Sequence, residues 1–264
     1  MKYATFIGVT KYLGGQEFTR LDGCVNDAKL WYQKLTNQFG FQSLGVRENY
    51  LWYEIIAEYE NLIDKLKAGD IGVFFFSGHG IRNESKDGRY YVEGIMDHLY
   101  RTVFDDEIHE KLEKLNKDAL LILIFDTCFS GGIQQAVMDA EMITKSSRRK
   151  YTAKGSSITV EFSDDLKKNG IKHKPGEGYP NVIFLSASAD DKRAYERSFT
   201  GGKVYGLFSY YAYNIIQEDM TYGTLVDKVN QQILFNEDKE VSKEQKVNIS
   251  AEYKNQLVFS NLNL

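Results

Sequence analysis

Four short apolar runs, Ala4 to Val9, Gly72 to Phe76, Ala119 to Phe125 and Val182 to Leu185, constrain this chain more than any other feature. None alternates apolar with polar residues, so each predicts a strand covered on both faces, as in a parallel sheet flanked by helices. Helical periodicity fills the intervals. Val25, Ala28, Tyr32 and Leu35 mark one helix, Leu51, Ile55, Tyr59, Leu62 and Leu66 a second, and Ile108, Leu112 and Leu115 a third. Strand alternating with helix gives an α/β fold, a three-layer α/β/α sandwich around a mostly parallel sheet. Weaker signals predict a strand within Phe41 to Arg47 and a hairpin through Arg89 to Val92. They also predict helices over Tyr205 to Gln217 and Tyr222 to Phe235, and a return to the sheet at Gln256 to Phe259.

At 264 residues the chain can bury one large core, and no Pro/Gly/Ser-rich break divides it into separate domains. A net charge of −4 offers no general attraction to nucleic acid. No apolar stretch approaches the roughly 20 residues that span a bilayer. The sequence enters a strand directly after Met1-Lys2-Tyr3, without a signal-like segment, so a cytoplasmic location is expected, with neither nucleic acid nor membrane as partner. Two cysteines, Cys24 and Cys128, form no disulfide framework and no zinc-ligand spacing. Cys24 suits a small buried thiol at a helix start.

Polar residues gather just past the apolar runs. Ser77 and His79 follow one strand, Asp126 and Cys128 another, and Ser186 and Ser188 a third. Ligands of open α/β sheets bind beyond the carboxyl ends of strands, where loops converge on a rigid support. A thiol nucleophile needs an imidazole to take up and return its proton, and donors aimed at the oxyanion. Gly78 and Gly80 flank His79, and Gly131 and Gly132 follow Cys128, leaving backbone free to turn and to approach a carbonyl. Taken alone, Cys128 could be a buried strand-end thiol; His79 in its glycine frame turns it into a candidate nucleophile.

The segments Phe76-Ser77-Gly78-His79-Gly80 and Asp126-Thr127-Cys128-Phe129-Ser130-Gly131-Gly132 resemble the two signature blocks of metacaspases and their bacterial relatives, within the caspase-like cysteine peptidases. Leu21 to Ala28 resembles the family's N-terminal block, and Leu185 to Glu196 its late strand and following loop. The resemblance implies a caspase-like sandwich with a large-subunit-like part over 1–132, a basic linker over 133–180 and a small-subunit-like part over 181–264. It implies Cys128 as nucleophile, His79 as general acid/base, and the N–H groups of Cys128 and Gly80 as oxyanion hole. It also places Asp27, Ser77 and Asp126 in the S1 pocket, where two carboxylates match a guanidinium or ammonium group. Cleavage of protein or peptide substrates after Arg or Lys is the expectation, by a monomer. Asp27 could instead merely occupy a first helical turn, where a carboxylate suits the dipole.

Many metacaspases bind an activating calcium ion, and Asp97, Asp105 and Asp106 fall in the corresponding region. The oxygen ligands are incomplete, however, and Asp105-Asp106-Glu107 also reads as an acidic helix N-terminus. No required cofactor is therefore expected. If S1 is acidic, Arg148, Arg149 and Lys150 in the linker become candidate self-cleavage sites. The same stretch, rich in charged and small residues, also reads as a solvated surface loop. A catalytically silent scaffold that docks a regulatory partner is the main alternative. A serine hydrolase is weaker, because Cys128-Phe129-Ser130-Gly131-Gly132 lacks a Gly-x-Ser-x-Gly elbow.

Overall fold

The computed structural model describes residues 1–13, 20–84, 91–127, 147–149, 180–188, 193–249 and 253–261. All four apolar runs are strands of one sheet: β1 (Lys2–Gly8), β3 (Ile71–Ser77), β7 (Leu120–Asp126) and β9 (Val182–Ser186). They lie parallel in the order β9-β7-β3-β1. One edge is closed by β2 (Val46–Glu48), parallel to β1, and the other by β12 (Asn248–Ile249), antiparallel to β9.

The strands read as continuous apolar runs because alternate side chains enter two different cores. Val73, Phe75, Ile122 and Ile124 face a core built with α1 (Cys24–Asn37), α4 (Leu207–Ile215) and α5 (Tyr222–Asn236). Phe74, Phe76, Leu121, Leu123 and Phe125 face the opposite core, built with α2 (Trp52–Lys65) and α3 (Asp105–Lys111). Helix, sheet and helix therefore form the expected three layers. Trp31 anchors the first core, its indole against Phe75 and Phe208 at 5.8 Å each. Tyr59 anchors the second, edge-on to Phe74 at 5.0 Å. Buried aromatic rings of this size supply much of the apolar area removed from water.

Two small antiparallel sheets sit outside this frame. One comprises β4 (Gly80–Glu84), β5 (Tyr91–Met96) and β6 (Thr102–Phe104), and contains the expected hairpin after His79; residues 85–90, including Arg89, lie outside the described residues. The other comprises β11 (Val204–Gly206), β10 (Tyr195–Ser198) and β8 (Ser147–Arg149). Most of the 133–180 linker lies outside the described residues, Lys150 included. Its residues 147–149 form a strand rather than a surface loop, with Arg148 opposite Glu196 and Arg149 opposite Tyr195.

Three expectations are corrected. Gln256 to Phe259 does not rejoin the central sheet: Leu257 makes a single bridge to Thr221, and the sheet edge belongs to Asn248–Ile249. The apolar character of that segment serves a different purpose, since the Phe259 ring packs edge-on against Trp31, Phe39, Phe41 and Tyr222. The helix expected from Tyr205 begins at Leu207, because Val204–Gly206 pairs with β10. The strand expected within Phe41 to Arg47 is shorter and later, at Val46–Glu48, with Gln42 contributing an isolated bridge to Tyr3. A short helix, α6 (Lys239–Glu244), is N-capped by Asp238, whose carboxylate accepts the N–H groups of Glu240 and Val241.

Candidate active site

The carboxyl edge of the parallel sheet gathers the polar residues of the sequence blocks. In the β3–β7 register Ser77 stands opposite Asp126, so both chains leave the sheet side by side. Neighbouring strands are about 4.8 Å apart. His79 follows Ser77 by two residues, and the sequence reaches Cys128 two residues beyond Asp126. Cys128 itself lies outside the described residues, as do Gly131 and Gly132.

His79 is fully buried. Its backbone is held at both ends: the peptide N–H donates to the Tyr12 hydroxyl at 2.7 Å, and the carbonyl accepts from the Met96 N–H at 3.0 Å. The Tyr12 ring lies 4.5 Å from the imidazole. Gly80 begins β4 opposite Ile95. On the neighbouring strand end, the Ser188 hydroxyl donates to the Thr127 carbonyl at 3.3 Å, and the Ala187 N–H donates to Phe125 at 2.9 Å. These bonds fix the peptide that immediately precedes Cys128 in the sequence.

The three residues implied for S1 are buried and lie in two hydrogen-bonded groups. Asp27 on α1 accepts the Ser77 hydroxyl at 2.8 Å and the Gly206 N–H at 2.7 Å. Asp126 accepts both the hydroxyl, at 2.5 Å, and the N–H, at 3.2 Å, of Ser209. The Ser209 oxygen in turn accepts the Trp31 indole N–H at 3.1 Å. Asp27, Ser77 and Asp126 are each fully buried. A first-turn dipole role for Asp27 is thus accompanied by specific bonds to β3 and β11. Burial, and after it the negative charge of Asp27, pushes the Tyr205 phenol above its ordinary pKa.

Sequence reasoning missed the partners that hold this network. Glu196 is fully buried on β10, and its two carboxylate oxygens accept the N–H groups of Asp22 and Gly23 at 2.9 and 2.8 Å. Gly23 is the N-cap of α1 and offers no side chain, so a carboxylate 173 residues away caps the helix that carries Asp27. Gly206 and Ser209 act from the same late part of the chain. No local signal marks these three; Tyr12, three residues past the first apolar run, was findable as another strand-end residue.

Asp97, one of the calcium candidates, has its carboxylate committed to backbone amides. Asp97 is buried and both its oxygens serve backbone amides: Oδ1 accepts from Leu99 and Arg101 at 2.7 Å each, and Oδ2 from Trp52, the first residue of α2, at 2.9 Å. This carboxylate organises a turn and a helix start, and does not fit as an open metal ligand. Asp105 and Asp106 open α3, in keeping with an acidic helix N-terminus. Among the described residues no group of three or more His, Cys, Asp or Glu side chains is placed to hold a metal ion. Cys24 is fully buried at the start of α1, as expected. Among the described residues no helix is long and apolar enough to cross a membrane.

The family model described as the caspase domain, of the C14 peptidases, matches residues 1–258. The chain belongs to the caspase domain family. This caspase domain is 26% identical over 204 residues to metacaspase-6 of Arabidopsis thaliana, covering 72% of the chain and 54% of the relative. It is 30% identical over 148 residues to metacaspase-1 of Saccharomyces cerevisiae, covering 49% of the chain and 33% of the relative. The chain therefore spans about half or less of the length of these relatives. The same fold occurs in the crystal structure of protein GSU0716 from Geobacter sulfurreducens, with a TM-score of 0.71 at 16% identity over 99% of both chains. Metacaspase-like sequence and a caspase-like sheet thus coincide in this caspase domain.

Proposed function

We propose that the protein is a cysteine endopeptidase that cleaves after Arg or Lys, with Cys128 as nucleophile and His79 as general acid/base. The observation that carries this reading is the register of β3 and β7, which sets Ser77 against Asp126 and sends the two signature blocks off the sheet together. The His79 imidazole takes the thiol proton as sulfur attacks the scissile carbonyl. The N–H groups of Gly80 and Cys128 receive the developing oxyanion. The protonated imidazole then gives its proton to the leaving amine, and water hydrolyses the thioacyl-enzyme.

Asp27, bonded to Ser77 at the end of β3, and Asp126, at the end of the adjacent β7, support the basic preference, since two carboxylates favour a cationic P1 side chain and repel an acidic one. Arg148 and Arg149, on a strand aligned antiparallel to β10, are proposed self-processing sites together with Lys150. Extended peptides commonly bind by adding a strand in this way. Turnover is proposed to need no calcium, because the Asp97 oxygens are committed to backbone amides.

Fluorogenic peptides ending in Arg, Lys or Asp test the reading directly, with wild type, Cys128→Ala and His79→Ala assayed with and without a chelator. Turnover of Arg and Lys peptides by wild type alone is the expected result. Preference for Asp would overturn the specificity, and turnover by Cys128→Ala the mechanism. An inert wild type whose Cys128→Ala form still binds a protein partner would identify a scaffold.

A further inference from the structure

We propose that Tyr12 is a positioning residue for His79, holding the imidazole in the attitude that proton transfer requires. The inference rests on the reading of His79 as the general acid/base.

Tyr12 touches His79 in two independent ways. Its hydroxyl accepts the His79 peptide N–H at 2.7 Å, and its ring lies 4.5 Å from the imidazole with the planes inclined at 51°. Close approach depends on the glycine before His79. A Cβ on Gly78 would come within 2.9 Å of the Tyr12 oxygen and 2.8 Å of the Phe76 ring, so a larger residue would displace the phenol. The hydroxyl thus fixes the backbone from which the imidazole projects, while the ring limits how the imidazole can tilt.

Tyr12 is itself anchored from several elements. The N–H groups of Thr10 and Lys11 both donate to the Asn49 side-chain oxygen, at 2.9 and 2.8 Å. The Leu13 N–H donates to the His98 carbonyl at 3.0 Å, and the Tyr12 ring lies 5.3 Å from that of Tyr100. His98 and Tyr100 belong to the turn whose amides the buried Asp97 gathers. A carboxylate that does not fit a metal therefore has a role here: it shapes the turn that backs Tyr12, which in turn backs His79.

A His base must serve sulfur and leaving nitrogen in succession, and displacement of about 1 Å can cost roughly 100-fold in rate. Tyr12→Ala is expected to lower kcat about 30- to 300-fold with KM changed less than about twofold, since Tyr12 acts on the proposed base rather than on the proposed S1 wall. Tyr12→Phe keeps the ring but loses the acceptor, and should lower kcat only about 3- to 10-fold.

A readout independent of activity is the NMR shift of the His79 ring protons in Cys128→Ala protein. Ring-current displacement should survive in Tyr12→Phe and vanish in Tyr12→Leu. His79→Ala, assayed alongside, separates two failures. Full activity in His79→Ala would overturn the reading of His79 itself. An inactive His79→Ala beside a Tyr12→Ala of unchanged kcat, or one altered only in KM, would overturn the role of Tyr12 alone. If Tyr12→Ala does not fold, Tyr12→Phe and the ring-proton shifts decide, and unchanged shifts in Tyr12→Leu would overturn it.

Discussion

Replacement of Glu196 by Ala should show how far the late part of the chain holds the early part in place. Glu196 is fully buried and bridges to the residues that lead into α1 through bonds of 2.9 and 2.8 Å to the amides of Asp22 and Gly23. Each hydrogen bond to a charged group contributes about 1.5–3 kcal/mol. The negative charge at the helix N-terminus adds about 0.3–1 kcal/mol, and more in a buried setting. Removal of a buried carboxylate also relieves its desolvation, which offsets part of this. A net loss of about 3 kcal/mol is expected for Glu196→Ala. Glu196→Gln should lose about half as much, because one acceptor oxygen remains. At this chain length about 3 kcal/mol lowers the midpoint of thermal unfolding by roughly 6–12 °C. The measurement belongs in a Cys128→Ala background, so that self-processing cannot contribute, by thermal and urea unfolding followed by circular dichroism. A loss below about 1 kcal/mol would refute the assignment of Glu196 as the cap of α1. In active protein the same substitution should raise KM for an Arg peptide, because α1 carries Asp27.

Asp27→Asn and Asp126→Asn should each raise KM for Arg and Lys peptides about 10-fold or more by removing one charge of the proposed S1 wall; unchanged KM in both would assign basic recognition elsewhere. Gly8→Ala should destabilise the protein by more than about 2 kcal/mol, since the added carbon would meet the Cys24 carbonyl oxygen at 2.6 Å and the Val25 Cα at 2.7 Å; urea unfolding checks this. Burial raises the pKa of Glu237, with the Tyr211 hydroxyl and Arg197 opposing. The folded state therefore binds the Glu237 proton more tightly, and its stabilisation is present below the ordinary glutamate pKa and lost as pH rises through the raised value. Glu237→Gln should flatten the pH dependence of stability in that window, and an unchanged slope would contradict it. Active protein should show cuts by mass spectrometry after Arg148, Arg149 or Lys150. Cys128→Ala should show none, whereas equal cutting in the mutant would assign the cuts to another protease.

The central strands were legible because burial on both faces forces an unbroken apolar run, as in Ile71–Ser77 and Leu120–Asp126, and such runs depend on local composition alone. His79, Ser77 and Asp126 stood out for a related reason, as buried polar residues that interrupt those runs at their carboxyl ends. Phe259 misled, since an apolar stretch near the chain's end suits a strand and a core plug equally, and its four aromatic neighbours come from distant segments. Asp97 was ambiguous in the same way. The family resemblance alone made it a metal candidate, and its three backbone donors give it a structural use instead.

The sequence alone determined the layered α/β architecture, the parallel strands and the chemistry available at their ends, because each follows from the order of side chains along a few neighbouring residues. Tertiary structure decided how those ends are held. Glu196 caps α1, Gly206 and Ser209 bond the two acidic side chains, and the Tyr12 hydroxyl accepts the His79 peptide N–H. Each of these bonds joins residues 67 to 179 positions apart, at distances set by helix and strand packing, so no stretch of sequence contains them.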